Sequence, residues 1–351
     1  MNTNSLTVQL KEYALSRGVD LIGITSAKPF IKRDRTETTI DPKELLDDAR
    51  SVIVTAYCTN EVVDAPSIDK DNPRGRYARA DSITAFTPME NHYIEIIKGF
   101  LEKQGYQVVS NKDYRVPDKM AAARAGIGKY GKNSVIITRE YGSYVMFVTL
   151  ITNAPLEYEE HDLYASECGQ CEICLRSCPT GAIYKPYKVN RELCITEWLW
   201  GTFVPIHLRE KQDNRIFGCG ECLHVCPRNK KLAPRREYPV KMEEVSTAPE
   251  LIPLVTGSEE YYRKTIASFP MRAGMEAIRG NAIIALGNIG TDKAIDPLCM
   301  TLTHPKSQIR AYSAWALGKI GGAEVRKVLE TALKDEENRE VRKEIQHALG
   351  K

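Results

Sequence analysis

Eight of the ten cysteines fall between residues 168 and 226, and their spacing restricts this chain more than any other feature. The first run is Cys168, Cys171, Cys174 and Cys178, followed by Pro179, so it reads C-x2-C-x2-C-x3-C-P. The second run is Cys219, Cys222 and Cys226, followed by Pro227, with Cys194 between the two runs. This is the spacing of a two-cluster ferredoxin, in which the fourth cysteine of a run ligates the other cluster. The exchange predicts one [4Fe–4S] cluster on Cys168, Cys171, Cys174 and Cys226. The second falls on Cys178, Cys219, Cys222 and, because the second run is one cysteine short, Cys194. Two four-cysteine zinc sites are the alternative, but zinc has no need of a three-cysteine run closed by C-P. Disulfides require an oxidising compartment. Cys58 and Cys299 stand alone in apolar surroundings and read as core thiols.

A chain of 351 residues suffices for two or three domains with cores of their own. A net charge of +3 gives no strong global field for nucleic acid. Residues 1–6 lack a basic n-region, an apolar h-region and a twin arginine, and no apolar run approaches the ~20 residues of a spanning helix. The expectation is a cytoplasmic protein with no membrane partner, in a reducing setting that protects the clusters.

The chain divides into parts. Residues 1–157 mix helical and strand signals: helical spacing over 6–16 and 92–104, with Gly105 as a stop, and β-rich runs over 21–25, 51–56, 107–110, 134–138 and 144–152. This predicts an α/β domain. Residues 158–232 are the cluster domain, bacterial-ferredoxin-like, and 233–258, rich in proline and charge, are a connector. Residues 259–351 carry a repeat. IRGNAIIALGNIG, IRAYSAWALGKIG and VRKEIQHALG begin at Ile278, Ile309 and Val341, and Arg279, Arg310 and Arg342 keep the step, as do Ala285, Ala316 and Ala348. Such a period predicts stacked helix pairs, a short HEAT-like array. The fold class is thus α+β or α/β followed by an α-helical repeat domain. The array is read either as a cap on the cluster domain or as a partner-binding surface, made basic by Arg310, Lys319, Arg326, Lys327, Arg342 and Lys343, with Asp335, Glu336, Glu337 and Glu340 opposing.

No G-x-G-x-x-G fingerprint, P-loop or cobalt-ligating D-x-H-x-x-G loop is present. The densest glycine cluster, 125–133 (AGIGKYGKN), lets backbone approach a large planar or anionic ligand, or is simply a turn. In context it says more. ARAGIGKYGKNSVIITREYGSY resembles the A-G-L-G-W-x-G-K-N/H segment of the epoxyqueuosine reductase family and its continuation. CGQCEICLRSCPTGAIYKPYKVNRELCIT and NRIFGCGECLHVCPRNK resemble that family's cluster motifs. FPMRAGMEAIRGNAIIALGN resembles its tail, and GVDLIGIT and ARSVIVTAY agree near the start. The resemblance runs over nearly the whole chain.

It implies a cobalamin-dependent oxidoreductase with a corrinoid-binding N-terminal domain beside two [4Fe–4S] clusters. The family reduces the epoxide of epoxyqueuosine in tRNA to the alkene of queuosine with loss of water. The implied partners are tRNA, held by the C-terminal repeats, and an external low-potential donor such as flavodoxin or ferredoxin; the chain is expected to be a monomer. The cobalamin is expected base-off, without a protein histidine on cobalt, near Tyr77, Arg79, His92, Gly126, Gly128, Lys132, Asn133, Gly142 and Ser143. The family's acid in V-D-x-A-P-x-x-E-R aligns with Lys112, one place from Asp113. Asp113 is therefore the expected proton donor, with Asp118 and Tyr114 behind it. Two further departures touch the substrate side: CITEWLWG from Cys194 onward where the family has C-I-S-Y-L-T-I-E, and Lys129 where it has tryptophan. The alternatives are a related corrinoid reductase acting on another substrate or on the corrinoid of a partner protein, and a two-cluster electron carrier without corrinoid.

Overall fold

In the computed structural model, which describes residues 5–32, 38–59, 68–78, 80–111, 113, 115–164, 168–230 and 237–350, the apolar run 51–58 is buried at every position. A strand buried on both faces needs a layer on each side. The strands β1 (Leu21–Ser26), β2 (Ser51–Cys58), β3 (Val108–Ser110) and β4 (Val145–Thr152) form one sheet in the order β1–β2–β4–β3. Every pairing is antiparallel, with Leu21 opposite Ala56 and Ser51 opposite Thr152. The all-antiparallel order makes this domain α+β rather than a parallel α/β fold. Ile53 and Tyr57 point to a core shared with Leu10 and Ala14 of helix α1 (Leu6–Ser16) and with Phe86, Met89, Tyr93 and Ile97 of helix α2 (Ala80–Leu101). Val52, Val54 and Ala56 point to the other face, against Ala121, Ala122 and Ala123 of helix α3 (Asp118–Arg124). The side-chain period of two assigns each residue to its layer.

Helix α2 differs from the expected span, beginning at Ala80 rather than near His92. Pro88 lies inside it. A proline has no N–H for the carbonyl four residues back. That carbonyl, of Thr84, is taken instead by the N–H of Glu243 at 3.1 Å. The segment after the cluster domain thus satisfies the helix across its proline, a compensation that local periodicity does not reveal. The helix ends where Gly105 adopts φ +84°. The expected strand over 134–138 contracts to Ile136–Ile137, paired with Lys129–Tyr130, because Ser134 turns the chain at φ 59°.

The repeat builds helices α4 (Met275–Ile289), α5 (Ser307–Ile320), α6 (Ala323–Asp335) and α7 (Arg339–Gly350). Its A-L-G motif has a direct steric cause. A Cβ on Gly287 would lie 2.9 Å from the Ala316 backbone, and one on Gly318 2.6 Å from Ala348 Cβ. Gly350, third in the series, has nothing within 4 Å of such a Cβ. The repeated arginines turn inward. Arg279 binds Glu276, His304 and the Gly257 carbonyl, Arg310 chelates Glu336, and Arg342 donates to the Leu333 and Glu336 carbonyls. Lys319, Arg326 and Lys343 also face carboxylates. The cations proposed for a basic surface are largely neutralised within the fold.

The array shares its core with the cluster region: Ile195, Trp198, Leu199, Val204, Ile216 and Phe217 pack with Ile278, Ile283, Tyr312 and Trp315. Arg209, fully buried, forms a bidentate pair with Glu344 at 2.6 and 2.9 Å and lies 4.8 Å from the Tyr312 ring. Glu344→Ala leaves that guanidinium uncompensated, a change that costs about 3–5 kcal/mol when one partner of a buried pair is removed. The expected result is a fall of several degrees in the thermal midpoint followed by circular dichroism; an unchanged midpoint would show that the pair holds nothing together.

Candidate active site

The two cysteine runs fold back on each other. Cys168, Cys171, Cys174 and Cys226 line one cavity of about 80 Å3 together with Lys132, Asn133 and Arg228. The remaining four lie within mutual electrostatic reach: Cys194 feels Cys178, Cys219 feels Cys194, and Cys222 feels Cys219, Cys194 and Cys178, with Cys174 of the first set also near it. Among the described residues no three His, Cys, Asp or Glu side chains converge closely enough for a single ion. Burial pushes the Cys174 thiol up to about 11 and the Cys222 thiol up to about 12. Iron must therefore displace protons on binding.

Short local structures present these thiols. One-turn helices Ile173–Arg176 and Glu221–His224 follow Cys171 and Gly220, the latter at φ +74°. The Thr180 hydroxyl donates to the Leu193 carbonyl at 2.6 Å, closing the loop between Cys178 and Cys194. Thr196 accepts the Cys219 N–H at 3.1 Å.

The residues expected around cobalamin separate into groups. Lys132 donates to the Gly169 carbonyl at 2.7 Å, Asn133 donates to the Cys222 carbonyl at 3.1 Å, and Ser143 is bonded to Asn229 through backbone and hydroxyl. Their polar atoms hold the cluster loops to the N-terminal domain. Gly126 and Gly128 serve close packing: added Cβ atoms would lie 2.5 Å from His161 and from the Ile137 carbonyl, respectively. The Gly142 carbonyl accepts from Thr138. Tyr77 and His92 are different, because Tyr77 Oη and His92 Nε2 are buried with no hydrogen-bond partner. An orphaned buried polar atom costs about 1–3 kcal/mol unless something satisfies it. Arg79 lies outside the described residues, as do Lys112 and Tyr114.

Tyr77 belongs to the two-residue strand Arg76–Tyr77, parallel to Arg215–Phe217, which leads into Cys219. Lys119 is exposed by surface area, yet desolvation is the largest cause lowering its pKa, followed by Arg191, with Glu197, Cys194 and Cys222 opposing. Neighbouring Asp118 has its carboxyl pushed up to about 6 by burial, against the pull of a 2.9 Å hydrogen bond from Asn111. Glu90 of α2, paired with Arg272 at 2.6 Å, raises it further. The start of α3 thus lies within electrostatic reach of Glu90 on α2 and of Cys194 and Cys222 in the second thiol set. The orphaned Tyr77 and His92 atoms are two buried groups that a ligand could satisfy.

Asp113 stands exposed on a loop whose base is fixed by Asn111, which bonds both the N–H and the carbonyl of Val116. Sequence reading missed Asn229 and the Glu90–Arg272 pair, each significant only through a distant partner. Of the two tryptophans in CITEWLWG, Trp198 is buried and donates to the Glu192 carbonyl at 2.7 Å, and Trp200 packs edge-on against Phe217 at 5.0 Å. Cys58 is buried, whereas Cys299 is partly exposed.

Residues 167–229 match the 4Fe-4S double cluster binding domain and residues 271–350 match HEAT repeats. The chain therefore carries an iron–sulfur domain. The epoxyqueuosine reductase of Bacillus subtilis (strain 168) is 33% identical over 377 residues, covering 99% of this chain and 96% of that protein. A crystal structure of epoxyqueuosine reductase with an epoxyqueuosine-modified tRNA-Tyr stem loop superimposes with TM-score 0.87 at 30% identity, covering 99% of both chains. A Bacillus subtilis structure with its catalytic aspartate loop swung out of the active site gives 0.86 at 30% identity, again over 99% of both chains.

Cys194→Ala is expected to halve the iron and sulfide content after anaerobic purification, because it removes one ligand of the second set alone. Loss of all iron, or zinc in place of iron, would refute the ligand assignment.

Proposed function

The chain belongs to the epoxyqueuosine reductase family, and we propose that it reduces epoxyqueuosine in tRNA to queuosine, using two [4Fe–4S] clusters and a cobalamin held by the N-terminal domain beside the second thiol set. The observation that carries this reading is the second thiol set within electrostatic reach of Lys119, next to the raised-pKa carboxyl of Asp118, in a chain 33% identical to such a reductase over nearly its full length. The tRNA, bound by a relative of the same fold, and the cytoplasmic setting follow from this reading. The domain division at about residues 157, 232 and 258 is retained as part of the proposal.

Reducing an epoxide to an alkene takes two electrons and two protons and releases water. A bound cobalamin supplies a strongly reducing nucleophilic centre for that opening. Tyr77 and His92 would offer it buried polar atoms that have no other hydrogen-bond partner. The departing oxygen needs a proton. We assign its delivery to Asp118, whose carboxyl at about 6 is matched to donation near neutral pH. Asp113 is the second candidate, because the catalytic aspartate loop of the Bacillus subtilis relative is found swung out of its active site, and Asp113 sits exposed on its own loop.

Deleting the gene is expected to replace queuosine by epoxyqueuosine in tRNA nucleoside digests. Unchanged queuosine in a strain with no second reductase points to another substrate. With Asp118 as donor the working form is the protonated one, so turnover declines as pH rises through about 6. Asp118→Asn abolishes that limb and lowers turnover about 10²–10⁴-fold, with iron and cobalamin content retained. If Asp113→Asn causes that loss and Asp118→Asn does not, the acid is Asp113.

A further inference from the structure

The two thiol sets differ in their access to solvent. Cys171 is exposed, as are Gly169, Gln170 and Glu172 beside it, and Pro227 and Arg228 beyond Cys226. Ile173 is 36% exposed. The other seven thiols of the two sets are all partly buried, so the first set is the one that reaches solvent, through Cys171.

Cations surround the outward face. Arg176 follows Cys174, and Arg228 and Lys230 follow Cys226; all three are exposed. The hairpin Ile183–Lys185 and Lys188–Val189 adds exposed Lys185 and Lys188. It is held against this loop because the Tyr187 N–H donates to the Lys132 carbonyl at 2.9 Å and Lys132 donates to Gly169. Across segments 168–178, 183–189 and 224–230, the single carboxylate is Glu172. Ile173 and Tyr184, the latter 57% exposed, supply an apolar centre. A small apolar centre within a rim of one charge sign suits transient electron-transfer contacts, which are small and electrostatically steered.

We propose that this face, around Cys171 with Arg176, Lys185, Lys188, Arg228 and Lys230, is the docking surface for a small acidic electron-carrier protein, which reduces the first cluster there. At each encounter the carrier loses one electron and the cluster gains one; no bond forms and no proton moves. The inference rests on the iron–sulfur part of the proposed function and is independent of the substrate and the corrinoid.

The test uses the full chain with both clusters, without tRNA or cobalamin, and follows cluster bleaching by stopped-flow absorbance after mixing with a reduced acidic ferredoxin. The wild-type bimolecular rate constant is expected to fall steeply from 0.01 to about 0.5 M salt, as the Debye length shrinks from about 30 Å to a few ångströms. Lys188→Glu with Lys230→Glu lowers the low-salt rate about tenfold. Photoreduced 5-deazariboflavin, which is uncharged, reduces wild type and variant alike. Should that variant lose iron, Lys185→Glu with Lys188→Glu, confined to the hairpin, replaces it. Carrier-driven rates that are insensitive to salt and equal in wild type and variant overturn the proposal. Failure on epoxyqueuosine tRNA with these rates intact counts against the substrate alone.

Discussion

The side chain of Asn281 donates to the carbonyls of Leu199 and Ile216, both at 3.0 Å, while its own carbonyl accepts from Gln212. Those carbonyls lie in the stretch between Cys194 and Cys219, so one buried amide on the first repeat helix fixes where two thiols of the second set stand. Asn288 on the same helix takes the carbonyls of Arg209 and Asp213, and Arg209 reaches Glu344 on α7. A buried backbone carbonyl left without a donor is costly, so this stretch has its polar atoms satisfied only when the helices are present. The repeats are therefore structurally part of the redox site.

The same economy appears on the other side. Lys132, Asn133 and Ser143 reach from the N-terminal domain to the carbonyls and amides of the cluster loops. The loops have little core of their own and borrow their rigidity from both neighbours. Rigid placement matters because an electron relay needs its centres held at fixed separation while a donor arrives on one side and a substrate on the other.

Burial is graded across the chain to match. The first thiol set reaches solvent at Cys171, the second is partly buried throughout, and Asp118 and Lys119 experience desolvation that shifts both toward their neutral forms. In such surroundings a carboxyl holds its proton near neutrality. Asp113, on an exposed loop, has no such enclosure.

The cysteine spacing by itself announced an iron–sulfur protein, and the A-L-G repeat announced stacked helices, because both signals are local: ligands at fixed offsets and small residues at fixed helical positions. The strands of the sheet were also legible, since β2 is mostly apolar and β-branched and is buried at every position. Only the tertiary structure decided that α2 runs through Pro88, because its compensation comes from Glu243, far along the chain. It likewise turned the repeated arginines inward to Glu276 and Glu336 rather than outward. The glycine-rich segment looked like a ligand cradle in one dimension, whereas in three its glycines admit His161 and Ile137, and its polar residues bind cluster loops. Asp118 gives no sign in the sequence of a carboxyl near 6, because that value arises from desolvation by parts of the fold remote in sequence, with Glu90 adding to it. Periodicity and ligand spacing are properties of neighbours along the chain; desolvation and hydrogen-bond satisfaction depend on whatever the fold brings alongside.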